Sequence, residues 1–265
     1  MEAAGLAVGV VALAGLFNNA VGCFEYVQLG HNFGTNFQTS LLKLDNARLR
    51  LSRWGQAVGL SGDLEGAQSL QEATVRKEDI DNAERILGQL LDLFVEAERL
   101  SAKYKASVKP DNSALTILDV QADMDDLGRS LHDKMRNLGI KRQNNTLLRQ
   151  KVKWALYEEK HFKRLIEDIV DLVGALLEIF PAVKQEQQKL CETEVSEIKK
   201  SEAGMECLSV LLDIVRLQDT DLAAAISAAM EANLSNQGAT FNNYNSKIAN
   251  QAASLAIHGG QTVHL

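Results

Sequence analysis

An uncharged stretch at the N-terminus, Ala3–Phe24, constrains the fold of this chain more than any other feature. No charged side chain lies between Glu2 and Glu25. As an α-helix, a segment of this length spans about 33 Å, close to the hydrocarbon thickness of a bilayer. The segment therefore suits two environments, the core of a helical protein or a membrane.

Charge and composition narrow the role of this segment. A secretory signal is not favoured, because no Lys or Arg precedes Lys43 and signal peptides begin with a basic region. A permanent membrane span is not favoured either, because the apolar run is diluted by Gly5, Gly9, Gly15, Gly22, Asn18 and Asn19. The residues alone leave open a permanently buried core helix and a segment that moves between protein and lipid.

Five stripes of apolar residues at helical spacing follow the N-terminal segment. Each stripe offers one face to a core, and the two prolines of the chain leave room for long helices. No run alternates apolar and polar residues long enough to indicate a substantial sheet. The sequence therefore predicts an all-α, multi-helix bundle. The stripes cover residues 37–54, 80–100, 118–138, 165–180 and 208–215.

The composition changes after Leu222. From residue 223 to residue 265 the only charged side chains are Glu231 and Lys247, and Ala, Asn, Ser and Gln dominate. This composition is typical of disorder, although its amides can also form ladders in a cross-β stack. We predict a helical domain over 1–222 and a C-terminal tail over 223–265, poorly ordered within 238–260.

The sequence contains no pattern of catalytic or metal-binding residues. The five histidines and three cysteines lack the spacing of a zinc or iron site, and no phosphate-binding loop or nucleophile elbow is present. We therefore predict a non-enzymatic protein without metal or cofactor. An odd number of widely spaced cysteines indicates a reducing, cytoplasmic compartment. The net charge of −7 gives no overall attraction to nucleic acid, and none is expected as a partner.

One local segment, residues 141–164, is strongly basic within this acidic chain. Its eight cations are opposed only by Glu158 and Glu159. Such a patch can contact anionic lipid headgroups, although an ordinary basic helix paired with acidic neighbours is the alternative. The candidate lipid-contact residues are Lys141, Arg142, Arg149, Lys151, Lys153, Lys160, Lys163 and Arg164.

Several unusual strings carry a resemblance to a known family. They are Ala14–Asn19, Cys23–Gly30, Leu51–Gly55 and Trp154–Tyr157. Together they resemble the HeLo domain of filamentous fungi, which is found in heterokaryon-incompatibility and loss-of-pathogenicity proteins. The resemblance covers roughly residues 1–220. It implies a helical bundle with at most a very short two-stranded sheet.

The resemblance also implies a function. In the family, activation releases the N-terminal apolar segment into the membrane, where the protein oligomerises and disrupts the bilayer, causing cell death. Glu25 and Tyr26 would lie at the segment boundary. The implied partners are membrane lipid, further copies of the chain, and an amyloid-motif or HET-s-like protein, with relocation from cytoplasm to plasma membrane. The implied membrane-inserting residues are Ala3, Leu6, Val8, Val10, Val11, Leu13, Leu16, Phe17 and Phe24.

The tail departs from the prion-linked members of the family. Residues 252–260 resemble the junction near a first prion repeat, but a second repeat and an aromatic ending are missing. This departure favours a family member similar to the loss-of-pathogenicity protein LopB. The alternative function is a soluble dimerisation or adaptor module that inhibits related proteins, with the N-terminal helix permanently packed.

Overall fold

The computed structural model describes residues 2–61, 76–108, 115–143 and 153–236. The described chain is a helical bundle with one short sheet, which confirms the predicted fold class. Short 3-10 turns at Phe24–Tyr26, His31–Asn36 and Pro181–Val183 join some of the helices. The helices are α1 Glu2–Cys23, α2 Phe37–Ala57, α3 Lys77–Ser107, α4 Val120–Asp123, α5 Asp126–Lys141, α6 Glu159–Ile179, α7 Lys184–Lys199, α8 Gly204–Val215 and α9 Thr220–Asn236.

The sheet joins two distant parts of the chain. Strands β1, Val27–Leu29, and β2, Trp154–Leu156, pair in parallel with Val27 opposite Trp154. Gly30 extends the pairing and donates its N–H to the carbonyl of Leu156 at 2.8 Å. The sheet fixes the residues that follow α1 against the start of α6.

Helix α2 is the centre of the bundle. It packs against α5, α6, α7 and α8, and also against α1. Because neighbours surround it, polar side chains on α2 are buried together with the apolar stripe. Arg53 is only 2 % exposed and Trp54 is fully buried. The charge of Arg53 needs a partner inside the protein, since an unpaired buried charge is costly.

Two parts of the helical pattern differ from the sequence-based expectation. The stripe over 118–138 is broken, because the carboxylate of Asp125 accepts the N–H of Gly128 at 2.7 Å and begins α5 there. Helix α7 was not among the predicted stripes. Its buried Leu190, Val195 and Ile198 alternate with many charged residues, which weakens the apolar pattern.

The helical part of the chain continues past the predicted boundary at residue 222. Helix α9 runs from Thr220 to Asn236 and packs against α7 and α8. Leu222 and Ile226 are fully buried, so these apolar side chains hold a helix whose remaining residues are mostly small. Residues 237–265, and with them the predicted poor order of 238–260, lie outside the described residues.

Candidate functional site: the N-terminal helix and its charged anchor

Helix α1 is buried on one face and exposed on the other. It packs mainly against α3 and less extensively against α2. On the outer face, Val11 is 54 % exposed, and Gly15 and Asn19 are also exposed. The side chains of Ala3, Leu6, Val8 and Val10 lie outside the described residues, and Leu16 is half-buried. The buried residues include Leu13, Ala14, Phe17, Ala20, Val21 and Cys23, and Phe24 follows in the next turn.

Phe17 fixes α1 to the centre of the bundle. Its ring meets the Trp54 indole edge-on, with 6.1 Å between ring centroids. It also occupies the space that a side chain at position 55 would need, because a Cβ added to Gly55 would lie 2.1 Å from Phe17 Cζ. The glycine in α2 therefore provides the notch that receives this ring.

Glu25, the first charged residue after α1, is held by two arginines. Arg136 of α5 donates from Nη2 to Glu25 Oε2 at 2.6 Å, and Arg48 of α2 pairs with the other carboxylate oxygen. Burial favours the neutral carboxyl, but the hydrogen bond from Arg136 and the charge of Arg48 outweigh it and lower the pKa of Glu25. The adjacent Tyr26 is partly buried against the core. The predicted segment boundary is thus a charged anchor.

A hydrogen-bonded histidine–aspartate pair lies beside this anchor. His132 Nδ1 is 2.7 Å from Asp45 Oδ2. Burial raises the pKa of Asp45. Burial opposes the charge on His132, yet the hydrogen bond and charge of Asp45 raise the His132 pKa overall. Both residues line a cavity of about 550 Å³, which also borders Glu25 and Arg136.

A buried ionic network ties α2 to the C-terminal helices. Arg53 donates from Nη2 to Glu194 of α7 at 2.6 Å and from Nη1 to Asp219 at 3.0 Å. Arg142, at the end of α5, pairs with the other oxygen of Glu194 and donates to Gln56 Oε1 at 2.6 Å. All of these groups except Gln56 are less than a tenth exposed. The network holds together α2, α5, α7 and the start of α9.

The structure disperses the predicted basic patch. Arg142 is buried in the network with Glu194 and is not on the surface. Lys141 is exposed at the end of α5 and contributes its charge near Glu197 of α7. Arg149 and Lys151 lie outside the described residues.

Lys160, Lys163 and Arg164 lie on the first turns of α6, whereas Lys153 directly precedes β2 and borders the cavity beside Glu25. Lys153, Lys160, Lys163 and Arg164 are all exposed. Lys160 is 3.1 Å from Glu158, and Arg164 is 3.8 Å from Asp168. The last four residues of the predicted set are therefore on the surface, whereas Lys141 and Arg142 belong to another part of the bundle.

Sites of two other kinds are absent from the described ranges. Within them, no helix combines the length and apolar character needed to cross a membrane. The same residues contain no group of three or more His, Cys, Asp or Glu that could hold a metal ion.

Comparison with known proteins places these features in a family. The family model described as HeLo, prion-inhibition and propagation, matches residues 5–208. The chain belongs to the HeLo family. The match includes most of α1, the Glu25 anchor, and Arg53, Arg142 and Glu194 of the buried network, and it reaches into α8, whereas Asp219 lies beyond it.

Curated relatives and solved structures agree with this assignment. Heterokaryon incompatibility protein S of Podospora anserina is 33% identical over 255 residues, covering 96% of this chain and 85% of that protein. Heterokaryon incompatibility protein s of Podospora anserina is 33% identical over 260 residues, which covers 98% of this chain and 87% of that protein. The HET-S N-terminal domain structure has a TM-score of 0.72 at 34% identity, covering 88% of this chain and 99% of that one. The structure of a doubly substituted HET-s N-terminal domain has a TM-score of 0.73 at 32% identity, and the match covers 83% of this chain and 98% of that one.

These relatives establish the HeLo family, while the LopB-like assignment stays a prediction. Sequence reasoning missed the partners of the site, namely Arg48, Arg136 and Gly55. The signal that could have pointed to Arg53 was a charged residue inside the quoted string Leu51–Gly55 and next to a core tryptophan.

Proposed function

We propose that this chain is an incompatibility-type cell-death effector whose helix α1 leaves the bundle and enters a membrane. The role is supported by relatedness to two heterokaryon incompatibility proteins across nearly the whole chain. The finer mechanism follows from the family resemblance and from how α1 is held. Its partners in this account are membrane lipid and further copies of this chain or of a related protein, with relocation to the plasma membrane.

One observation carries the proposal: among the side chains that the structure describes, the ionic contacts begin where α1 ends. The apolar helix is followed directly by the anchored Glu25, whereas the network of Arg53, Glu194 and Asp219 joins α2 to α7 and α9. Loss of α1 from the bundle therefore leaves that network in place. The remaining helices would keep their charged connections after release.

The free energy of releasing α1 depends on the difference between burying its apolar side chains in the bundle and burying them in lipid. Each of Leu13, Phe17 and Val21 loses about 1.5–3 kcal/mol when exposed to water, but recovers a similar amount on entering lipid. The amide of Asn18 donates to the carbonyl of Ala14 at 3.0 Å, within the same helix. That hydrogen bond travels with the helix, which reduces the cost of placing Asn18 in lipid.

The exposed cations near the start of α6 would support membrane approach. Lys153, Lys160, Lys163 and Arg164 each contribute about 1 kcal/mol near an anionic surface. The ion pairs with Glu158 and Asp168 reduce this contribution for Lys160 and Arg164. Lys141 and the buried Arg142 are not part of this proposed contact.

A charge placed on the outer face of α1 tests the proposal. Val11 is exposed, so Val11→Lys leaves the packed face of the bundle intact. Near the centre of a membrane-inserted helix, lysine costs about 2.5–3.5 kcal/mol, which predicts roughly 100-fold less insertion. The readout is dye release from vesicles of phosphatidylcholine and phosphatidylserine.

Val95→Lys is the matched control, because Val95 is 60 % exposed on α3 and the substitution adds the same charge. Release by the parent and Val95→Lys, with strong loss in Val11→Lys, is the expected result. Equal release by all three proteins would contradict entry of α1 into the bilayer.

A second candidate function is a soluble adaptor that inhibits related proteins, with α1 permanently packed. The seating of Phe17 in the notch at Gly55 favours it, because that ring is completely buried. Hydrogen exchange of residues 3–24 distinguishes the two. Protection that is unchanged by vesicles supports the adaptor, while loss of the original protection pattern on vesicles supports insertion.

A further inference from the structure

A groove between α3 and α6 has no role in the function proposed above. The two helices pack against each other, and two depressions of about 430 and 330 Å³ lie along the seam between them. Leu93 and Asp168 line both depressions, so the two form one continuous groove. It extends over residues 89–100 of α3 and 161–172 of α6, which is about 17 Å or three helical turns.

The floor of the groove is apolar. Ala97 and Leu165 are buried at its base, whereas Leu93, Leu100 and Leu172 are only half-buried and contact solvent. The lining residues of α3 recur at intervals of three and four, which places them on one face of that helix. A row of partly exposed leucines between two helices, three turns long, has the shape that receives the apolar face of a third helix.

The rim of the groove is acidic near its middle. Asp92 of α3 and Asp171 of α6 line the same depression from opposite helices, and both are exposed. Among the described residues, neither carboxylate forms an ion pair at 4.0 Å or less. The remaining ionisable residues of the rim each have a partner close in sequence, namely Arg99 for Glu96, Asp168 for Arg164, and Glu158 for His161.

The two unpaired carboxylates select among the possible occupants of the groove. An anionic membrane surface would be repelled by Asp92 and Asp171. A second copy of this chain is disfavoured as well, because a two-fold contact centred on the groove brings its acidic middle against the same region of the other copy. Each copy also carries a net charge of −7. A complementary partner therefore brings cations to the rim and apolar side chains to the floor.

We propose that this groove binds a basic amphipathic helix of another protein. Three turns of such a helix place apolar side chains, spaced by three and four residues, on the floor formed by Leu93, Leu100 and Leu172. Lysine or arginine side chains on the two borders of this apolar stripe reach Asp92 and Asp171, which lie on opposite walls of the groove. A helix with acidic borders is rejected by the same two carboxylates.

Peptide binding to the full chain in the absence of lipid tests the proposal. The probe is a fluorescein-labelled synthetic helix of about 18 residues of leucine and lysine, with the leucines on one face. Two matched peptides carry glutamate in place of lysine, or the same residues in an order without an apolar stripe. Fluorescence anisotropy measures the three affinities. We expect both matched peptides to bind at least about tenfold more weakly, because each lacks one of the two complementary features.

Removal of the two carboxylates tests the rim. Asp92→Asn with Asp171→Asn removes both charges and keeps the size of the side chains. Because an exposed ion pair contributes up to about fivefold in affinity, we expect the lysine peptide to bind about tenfold more weakly. Glu192→Gln with Asp213→Asn is the matched control, since these residues are exposed on α7 and α8 and the same charge is removed. The control should bind the peptide as the parent does.

Hydrogen exchange locates the bound peptide, and added protection is expected in residues 89–100 and 161–172. Leu93→Ala tests the floor and should weaken binding about tenfold, with circular dichroism showing that the variant is folded. Equal affinity of the two double variants, equal binding of the three peptides, or protection only in other helices would overturn the proposal. A dimer of the free chain that protects the same two ranges would overturn it in favour of a second copy. Val11→Lys should bind the peptide normally, so these outcomes are independent of whether α1 enters a membrane.

Discussion

The notch at Gly55 gives a sharp prediction about how α1 is held. A Cβ at this position would lie 2.1, 2.2 and 2.7 Å from three atoms of the Phe17 ring. Carbon atoms normally approach to about 3.5–4.0 Å, so Gly55→Ala requires the ring to move by roughly 1.5 Å. The ring is completely buried and meets the Trp54 indole edge-on, so it cannot move aside without disturbing the packing around it.

The expected loss of stability follows from this overlap. Overpacking of a core costs about 1–3 kcal/mol, and the buried, three-atom clash places Gly55→Ala near the upper end. Phe17→Leu removes the clashing ring atoms and alone costs about 1 kcal/mol. In the double variant the two losses should not add, which gives a favourable coupling of at least about 1 kcal/mol.

Urea denaturation of the four proteins of this cycle measures the coupling, and hydrogen exchange of α1 locates the effect. Gly55→Ala should increase exchange in residues 13–23 more than in α7. Additive losses in the double variant, or unchanged exchange in α1, would refute the account of Phe17 as the contact that seats this helix.

Three further predictions concern charged and thiol groups. Arg53→Met leaves Asp219 buried without its arginine and leaves Glu194 paired with Arg142 alone, and it should cost about 3–5 kcal/mol in urea denaturation. A loss below about 1 kcal/mol would argue against a paired network. Because the pKa of Glu25 is lowered in the folded state, its contribution to stability is present above its unfolded pKa and disappears as pH falls through the lowered value. Glu25→Gln should therefore flatten the stability curve in the acid range, and an identical acid limb would contradict the anchor. Burial raises the pKa of Cys191 to about 12, so this thiol should react with maleimide at neutral pH only after denaturation.

The fold was predictable because apolar residues at helical spacing lie on one face of a helix, and that face is the one that packs against the core. Leu87, Leu90, Ile169 and Leu211 were placed on core faces from their spacing, and all are fully buried. The continuation of helix past residue 222 was not predicted, because alanine-rich α9 shows few large apolar residues. Its position depends on Leu222 and Ile226, whose burial requires the surfaces of α7 and α8.

The candidate site was predictable only in part. Glu25 could be singled out, because it is the first charge after a long uncharged segment, and its role as the boundary of a membrane-inserting segment stays a prediction. Its partners could not, since Arg48 and Arg136 are far apart in sequence and meet only when α2 packs against α5. Arg142 is a similar case. In the sequence it looks like one of several cations in a basic segment, but in the fold it pairs with the distant Glu194 in the core.

The most direct test of the central claim is the location of α1 after the protein meets a membrane. Gly15 is exposed, and nothing lies within 4 Å of a Cβ there, so Gly15→Cys can carry an environment-sensitive dye. The buried cysteines are replaced by alanine, and Gly55→Ala is added to loosen the helix. With anionic vesicles, the account predicts a blue-shifted emission that lipid-embedded quenchers suppress, in step with dye release. Release from vesicles while the dye at position 15 stays in water would contradict it.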